Sequence, residues 1–473
     1  MKTAQIQPIS LIRGALRSLP LTAGFVAAAL SLPHAARAVP SFARQMDMQC
    51  IECHTEFPIL NAFGRQFKLA GYTTASDPST TELPPLAIML QPSFTHTQNA
   101  QAGGAAPGFA DNNNFAVTQL SIFYAGRLCG PYADQVFGKE VGDFLNKFGI
   151  FDQTTYDGVA KAWHWDNTEL RFADSTAIRD QNVIYGAYAN NNPGMQDPWN
   201  STPAWGFPFS GSALSQTPAA GTLIEGGLAQ QVVGAGVYTF VADTYYFELG
   251  AYSNLGAQAQ RSLGVDPTGE TQVTGLAPYW RVAIDRMVGD AHWEVGTFGI
   301  SADTYPGRDQ SAGKDRITDI GIDTQYQVSR GPHDLTAMAS WIYENDNWSA
   351  SQPLGNTSNQ TDNLYSLKAT VDYLYDKTFG GAVQYFLVNG SDDATLYSGS
   401  QIGSPTSDGF VFQLNYLPFN KAGGPGFWSR SNVKFSLQYV AYNRFNGART
   451  NYDGQGSNAA GNNTLYLEAW IAF

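Results

Sequence analysis

The chain has 473 residues, of which only 14% are charged, 13% are aromatic and 48 are glycine, a composition unlike that of packed α/β domains. Past residue 38 no run of apolar residues is long enough for a membrane-crossing helix, which excludes a helical membrane protein. The net charge is −13; the first 38 residues hold four of the 27 basic residues and no acid, so the remainder carries 23 against 40, or −17, a balance that attracts cations and repels nucleic acid.

Residues 1–38 read as an export signal. Lys2, Arg13 and Arg17 form a basic start, residues 19–32 are apolar but too short to span a membrane, and Ala36-Arg37-Ala38 is a small-x-small cleavage site. Residues 39–73 follow, and they contain Cys50-Ile51-Glu52-Cys53-His54. Two thiols at this spacing add to the vinyl groups of one haem c, and the adjacent histidine reaches the iron. Cys50 and Cys53 are therefore the expected covalent anchors and His54 an axial ligand. A zinc half-site lacks a second ligand pair, and a simple disulfide gives the histidine no role. About 35 residues are too few to bury a haem alone, so this segment needs a second surface. Residues 74–85, with three prolines and no periodicity, read as a linker.

From residue 86 to 473 the pattern is period two. In 364–375 one face is Tyr365, Leu367, Ala369, Val371 and Tyr373, the other Ser366, Lys368, Thr370 and Asp372. In 432–442 Val433, Phe435, Leu437, Tyr439 and Ala441 alternate with Asn432, Lys434, Ser436 and Gln438. No helix gives this alternation. The chain ends on Phe473, with Ile471, Ala469, Leu467 and Leu465 on its face, like the terminal strand of Gram-negative outer-membrane barrels. Sixteen strands are expected near 86–98, 115–127, 147–157, 160–172, 182–190, 228–243, 245–255, 276–288, 291–302, 316–329, 333–346, 363–375, 378–389, 408–419, 431–446 and 463–473. Long polar connections, 191–227 among them, alternate with tight turns, as extracellular loops and periplasmic turns do. Residues 129–146 break the rule as an insert on the short-turn side, open to a helical reading. The fold class is thus an all-β transmembrane antiparallel barrel of about sixteen strands, with residues 39–73 plugging its polar lumen at the periplasmic mouth.

A monohaem head on such a barrel resembles the outer-membrane iron-oxidising cytochrome–porin fusion family of lithotrophic bacteria. The residues that carry the resemblance are Pro40-Ser41-Phe42-Ala43-Arg44-Gln45, the CxxCHT at 50–55, Pro58, Phe63-Gly64-Arg65-Gln66-Phe67-Lys68-Leu69 through Gly71-Tyr72, Asp166-Asn167-Thr168-Glu169-Leu170-Arg171, and the stretch 190–208. It is close over the first 75 residues and these two blocks, and diffuse over the last 250. Cys129 and the 129–146 insert depart from it. The resemblance implies oxidation of Fe(II) at the cell surface, with the electron passed to a periplasmic cytochrome c or cupredoxin.

The second axial ligand stays open. Met89 lies on the polar face of the first strand, with Ala87, Gln91, Ser93 and Thr95, and ranks first; Met48 is second, since it and Met46 sit on the proximal side of Cys50, and His96 is third. An open sixth position is the other possibility. Methionine there would raise the potential. Carboxylates suit a hydrated Fe(II), and the loops offer Asp266, Glu270, Asp303, Asp309, Asp392, Asp393 and Asp408. Asp166, Glu169 and Arg171 read as a lumen salt-bridge network, Cys129 as filler, and His164 and His292 as strand or rim residues. Two other functions compete with the iron oxidoreductase: a solute channel whose haem head gates or stabilises it, and a conduit for a different electron donor.

Overall fold

The computed structural model describes residues 40–76, 85–265, 272–425 and 431–473. The export signal, Val39, residues 77–84 of the linker, Asp266 and Glu270 lie outside the described residues. Seventeen strands form one sheet: β1 (Leu86–Thr97), β2 (Asn114–Arg127), β3 (Phe148–Asp157), β4 (Ala162–Ile178), β5 (Gln181–Asn190), β6 (Val232–Val241), β7 (Tyr245–Asn254), β8 (Gln272–Thr274), β9 (Ala277–Val288), β10 (Ala291–Tyr305), β11 (Asp315–Arg330), β12 (His333–Asn347), β13 (Thr361–Tyr375), β14 (Phe379–Gly390), β15 (Ser407–Tyr416), β16 (Asn432–Arg444) and β17 (Thr464–Ala472). Strands β8 and β9 both pair with β10 and make one stave, so the ring has sixteen. It closes because β1 pairs with β2 on one side and β17 on the other, every pairing antiparallel. No edge is left to bond with lipid or another chain.

The alternation seen in the sequence decides which way each residue faces. On β16, Asn432, Lys434, Ser436 and Gln438 are buried in the lumen while Phe435, Leu437 and Tyr439 are exposed on the outside. On β13, Ser366, Thr370 and Asp372 point in, and Val371 and Tyr373 point out. This is the reverse of a water-soluble barrel and the arrangement of a membrane-crossing one. All sixteen expected strands form. One is longer than expected: β4 runs to Ile178, and its polar Asp174, Ser175 and Thr176 pair with Tyr185, Ile184 and Val183 of β5. The tight turn that follows, Arg179-Asp180, has positive φ at both residues (49° and 64°), the conformation of a two-residue hairpin turn.

The two rims differ. One carries the tight turns between β4 and β5, β6 and β7, β9 and β10, β11 and β12, and β13 and β14. The other carries the long connections, except for the short link 158–161 between β3 and β4, and the β15–β16 connection of 417–431 is long on the turn rim. The insert between β2 and β3 stands on the turn rim, as two short helices, α4 (Ala133–Phe137) and α5 (Lys139–Leu145).

Two segments fill the lumen. The first is the N-terminal head, with α1 (Pro40–Met46), α2 (Cys50–Cys53) and α3 (Ala62–Leu69). It enters the turn-side half. Arg65 Nη1 donates to Gln325 and Gln327 (3.2 and 2.9 Å). Lys434 Nζ donates to the Phe57 carbonyl (2.9 Å), and Asn415 Nδ2 to Glu56 (2.6 Å). Tyr72 Oη donates to Glu169 (3.0 Å) and Tyr238 Oη to the Leu69 carbonyl (2.6 Å). The wall makes room by omission: a Cβ on Gly149 would stand 1.8 Å from the Gly71 oxygen. The second segment corrects the sequence expectation for 191–227. That connection does not stay outside; it folds inward. Asp197 accepts from the backbone N–H of Trp199, Ser201 and Thr202 (3.0 Å each), which curls the loop on itself. It also faces Arg281 at 3.4 Å. Trp199 is fully buried and donates from Nε1 to Asp285 (2.9 Å). Further along, the N–H of Ile224 donates to Asp319 (2.8 Å).

Candidate functional site

Helix α2 is a single turn. Its Cys50 is buried and Cys53 half-buried, and the His54 N–H closes the turn on the Cys50 carbonyl (3.0 Å). Spacing of three along a helical turn puts both sulfurs on one side. Helix α3 packs close behind: a Cβ on Gly64 would come 2.2 Å from the Cys53 oxygen. Asn61 caps α3 by accepting from the Gly64 N–H (3.0 Å) and reaches back from Nδ2 to the Glu52 carbonyl (2.9 Å). The turn that carries the cysteines is thus held from two sides.

The chain after His54 folds back on it. His54 Nδ1 lies 3.2 Å from the Pro58 carbonyl oxygen. A carbonyl only accepts, so Nδ1 carries the proton and Nε2 keeps its lone pair, the tautomer a metal-ligating histidine needs. Burial pushes this imidazole down to about 4, against which the Pro58 and Ile59 backbone contacts work only weakly. It is neutral at pH 7. Burial first, then the neighbouring Cys50 and Glu52, pushes the Cys53 thiol up to about 12. Cys53 is therefore not a thiolate nucleophile.

Cys50, Cys53 and His54 open on a cavity of about 520 Å³, a size that takes a cofactor. The head contributes Phe42, Met46, Met48 and Phe67 to its wall, the barrel Met89, Phe123, Phe151 and Trp470, and the inward loop Trp205 and Phe209. Ring contacts knit the three together: Phe42 to Phe151 (6.5 Å) joins head to barrel, and Phe151 to Trp205 (5.9 Å) joins barrel to loop. Lys68 ties the roof to the head by donating to the Met195 and Asp197 carbonyls (2.8 and 2.7 Å). Burial holds that amine down at about 8. An apolar, aromatic cavity with two sulfurs and one oriented imidazole on its wall fits a haem c. Among the described residues no group of three or more His, Cys, Asp or Glu forms a separate metal site.

Of the expected axial ligands, Met89 is buried and faces the cavity, as its position on β1 requires, and Met48 lines it too. Met46, given no rank from sequence, is buried on the same wall. His96 is elsewhere: it faces outward and its Nδ1 lies 2.8 Å from Asn113 Oδ1, so it is removed from the set. Glu169 and Arg171 do pair in the lumen (2.8 Å), while Asp166 accepts from Thr155 Oγ1 (2.8 Å) instead. His164 and His292 both sit on strands, β4 and β10.

The loop carboxylates divide. Asp309 is exposed and bonded within its own turn to Ser311. Asp303 is committed to Arg316 (2.8 Å). Asp393 turns inward and accepts four backbone N–H groups, from Ser358, Asn359, Thr395 and Leu396 (2.7–2.9 Å). Asp408 is buried against Arg444 (2.5 Å) and Asn443 (3.0 Å). These last two organise loops and are corrected from docking ligands to structural ones.

Sequence reasoning missed Trp205, Phe209 and the roof they belong to. The signal was there in composition. Met195, Trp199, Trp205, Phe207 and Phe209 crowd a segment that a water-exposed loop would fill with polar residues.

No protein-family model and no curated protein matches the chain. Among solved structures it is similar to an anion-selective porin from Comamonas acidovorans (12% identity, 82% of this chain and 98% of that one, TM-score 0.44). It is also similar to the outer-membrane channel DcaP of Acinetobacter baumannii (11%, 82% and 96%, 0.44) and to OprB of Pseudomonas putida (10%, 82% and 93%, 0.44). Likeness at this level says nothing of what the chain binds; the barrel stands on its own strand ladder.

Proposed function

We propose that the chain is an outer-membrane electron conduit and Fe(II) oxidoreductase. One haem c is held on Cys50 and Cys53 within the barrel. Each external Fe(II) gives up one electron and leaves as Fe(III), and a periplasmic cytochrome c or cupredoxin takes the electron. The observation that carries this reading is the cavity: an attachment motif opens on an apolar chamber inside a membrane-type barrel. A protein with that motif hanging free of the wall would have no use for Phe123, Phe151 and Trp470 around it. When bound, the haem supplies one-electron chemistry, and the protein supplies position and potential. His54 would hold the iron through Nε2, and the Pro58 carbonyl fixes the ring by accepting from Nδ1. Met89, Met46 and Met48 offer thioethers on the cavity wall. Phe42, Phe67 and Trp205 keep water out, which raises the potential as a weak reductant such as Fe(II) requires. The membrane's apolar band is about 25 Å tall, so a single cofactor can serve both faces only from inside the pore.

The test is a redox titration of the detergent-solubilised protein followed by mixing with Fe(II). The oxidised spectrum should convert to the reduced one on mixing. An unchanged spectrum overturns the iron reading.

One observation favours a second function. The lumen wall is polar and a long loop folds into it, as in a channel that selects solutes. Solute flux through liposomes separates the two: a channel conducts whether or not Cys53 or His54 is replaced, and Fe(II) leaves its spectrum unchanged.

A further inference from the structure

The insert on the turn rim contributes no residue to the cavity wall and stands among tight turns. Helices α4 and α5 cross where Gly142 meets Asp134; a Cβ there would lie 2.7 Å from the Asp134 Cα. Asn146 Nδ2 donates to Asp134 (3.3 Å) and fastens the pair. On α5 Lys139 and Asp143 fall together, bridged at 3.1 Å, and Glu140 stands at the border of that side. Val141 and Phe144 fall on the other, as the helical period dictates. Val141 is 49% exposed, Phe144 55%, Val136 66% and Phe137 52%. A water-facing hairpin does not gather four large apolar side chains without a partner.

What covers them is indicated by where they stand. Phe144 packs edge-on against Phe148 (5.3 Å), which packs against Phe172 (5.2 Å). Phe148 and Phe172 are directly opposite one another on β3 and β4. Their neighbours Gly149, Phe151, Arg171 and Ala173 are buried toward the lumen, so both rings are on the outside of the barrel. The apolar face of the hairpin therefore meets the barrel's outward aromatic band through Phe144 and Phe148, with the Lys147–Asp174 pair (2.5 Å) beside the junction.

We infer that residues 130–146 form an interfacial anchor. The hairpin rests on the phospholipid leaflet at the periplasmic rim, with Val136, Phe137, Val141 and Phe144 in the headgroup–acyl boundary and the Lys139–Asp143 pair toward water. This rests on the outer-membrane reading of the barrel, not on the haem. The anchor fixes one side of the rim beside the head's entry point: Arg127, at the end of the strand that leads into the insert, donates from Nε to the Thr73 carbonyl (2.8 Å).

The experiment places 4-fluorophenylalanine singly at Phe144, Phe435 and Phe63 in the full-length protein, in nanodiscs of phosphatidylethanolamine and phosphatidylglycerol. Fluorine NMR is read with lipids carrying a nitroxide near the headgroup, or with a soluble paramagnetic chelate. Phe435 lies on the turn-side outer wall and Phe63 on the head. The anchor predicts that the Phe144 and Phe435 signals are lost to the nitroxide lipid. If Phe435 is lost to the lipid while Phe144 is lost only to the chelate, the barrel stands and the anchor is overturned, and the face belongs to a protein partner. If Phe435 also escapes the lipid, the membrane reading fails and the anchor fails with it.

Discussion

Strand β16 carries both regions of this molecule. Leu437 points outward, where its neighbours on β15 and β17 are Leu414 and Leu467, directly opposite it in register. Lys434 points inward, donating to the Phe57 carbonyl and facing Glu56 at 3.6 Å across nearly the whole length of the chain. The outer wall is built from many equivalent local contacts, each strand held to the next. The interior is held by polar groups whose partners lie far off in sequence, as Arg65 with Gln325 and Gln327 and Lys434 with Glu56 and the Phe57 carbonyl. The wall repeats one kind of contact and the interior does not. A single interior change should loosen the head and leave the barrel standing, and a wall change should weaken the barrel and leave the head's site unaltered.

The sharpest form of this comparison removes the cofactor's tether. Cys50→Ala with Cys53→Ala should abolish covalent haem completely and with it any spectral response to Fe(II). Neither cysteine contributes to the strand ladder, so the barrel band that shifts on heating in denaturing gels should be unchanged. If the barrel is lost as well, head and wall are one cooperative unit and the division drawn above is wrong.

On the wall, Leu437→Arg puts a charge at mid-strand on the lipid face. It should cost about 2–4 kcal/mol of barrel stability, read as a lower urea midpoint for the heat-shifted band. The haem spectrum of the surviving folded fraction should match that of the parent protein.

In the interior, Lys434→Met removes the ammonium and leaves Glu56 and the Phe57 carbonyl without it. The side chain also lies over the Phe57 and Trp470 rings, 5.0 Å from each, and methionine keeps that packing. The loss is about 1–3 kcal/mol for the orphaned acceptors. Burial already pushes the Glu56 carboxyl above its usual range, so it answers by taking a proton rather than by unfolding the wall. Faster protease cleavage within 40–76 at an unchanged barrel midpoint is the expected result. A fall in the barrel midpoint instead would mean the head props the cylinder open.

The same asymmetry explains what could be read from the sequence. All sixteen strands were legible because the side-chain period is two and lipid enforces it on every outward residue; Phe435, Leu437 and Tyr439 announce their face whatever else happens. That Cys50, Cys53 and His54 share one site was legible because they fall within a single short stretch. Met89 could be pointed at the lumen by parity alone. The roof could not be found in this way. Asp197 meets Arg281, and Trp205 meets Phe151, through contacts no period encodes, and a connection rich in Asn and Gly looks the same whether it lies outside or folds in. Asp393 failed for a related reason: a carboxylate that gathers four backbone N–H groups is indistinguishable in sequence from one facing a cation.

The smallest expected effect is a pH dependence confined to the head. Burial lowers His54 from an ordinary 6.5 to about 4. A group depressed on docking supports the docked state fully above its undocked value and stops supporting it once pH falls through the docked one. Docking of the haem-free head should therefore weaken between about pH 6.5 and 4. Glu56 works in the opposite direction, since burial raises it and acid favours its buried, neutral form. Glu56→Gln removes that compensation and should make the acid loss steeper. With a haem bound, Nε2 would be taken up by the iron, and the window should close. Hydrogen exchange of residues 50–69, corrected for intrinsic rate, reports it against the strands as an internal reference. Equal protection from pH 6.5 to 4 in the haem-free Glu56→Gln protein would show that His54 is open to water and that the head does not seal the cavity.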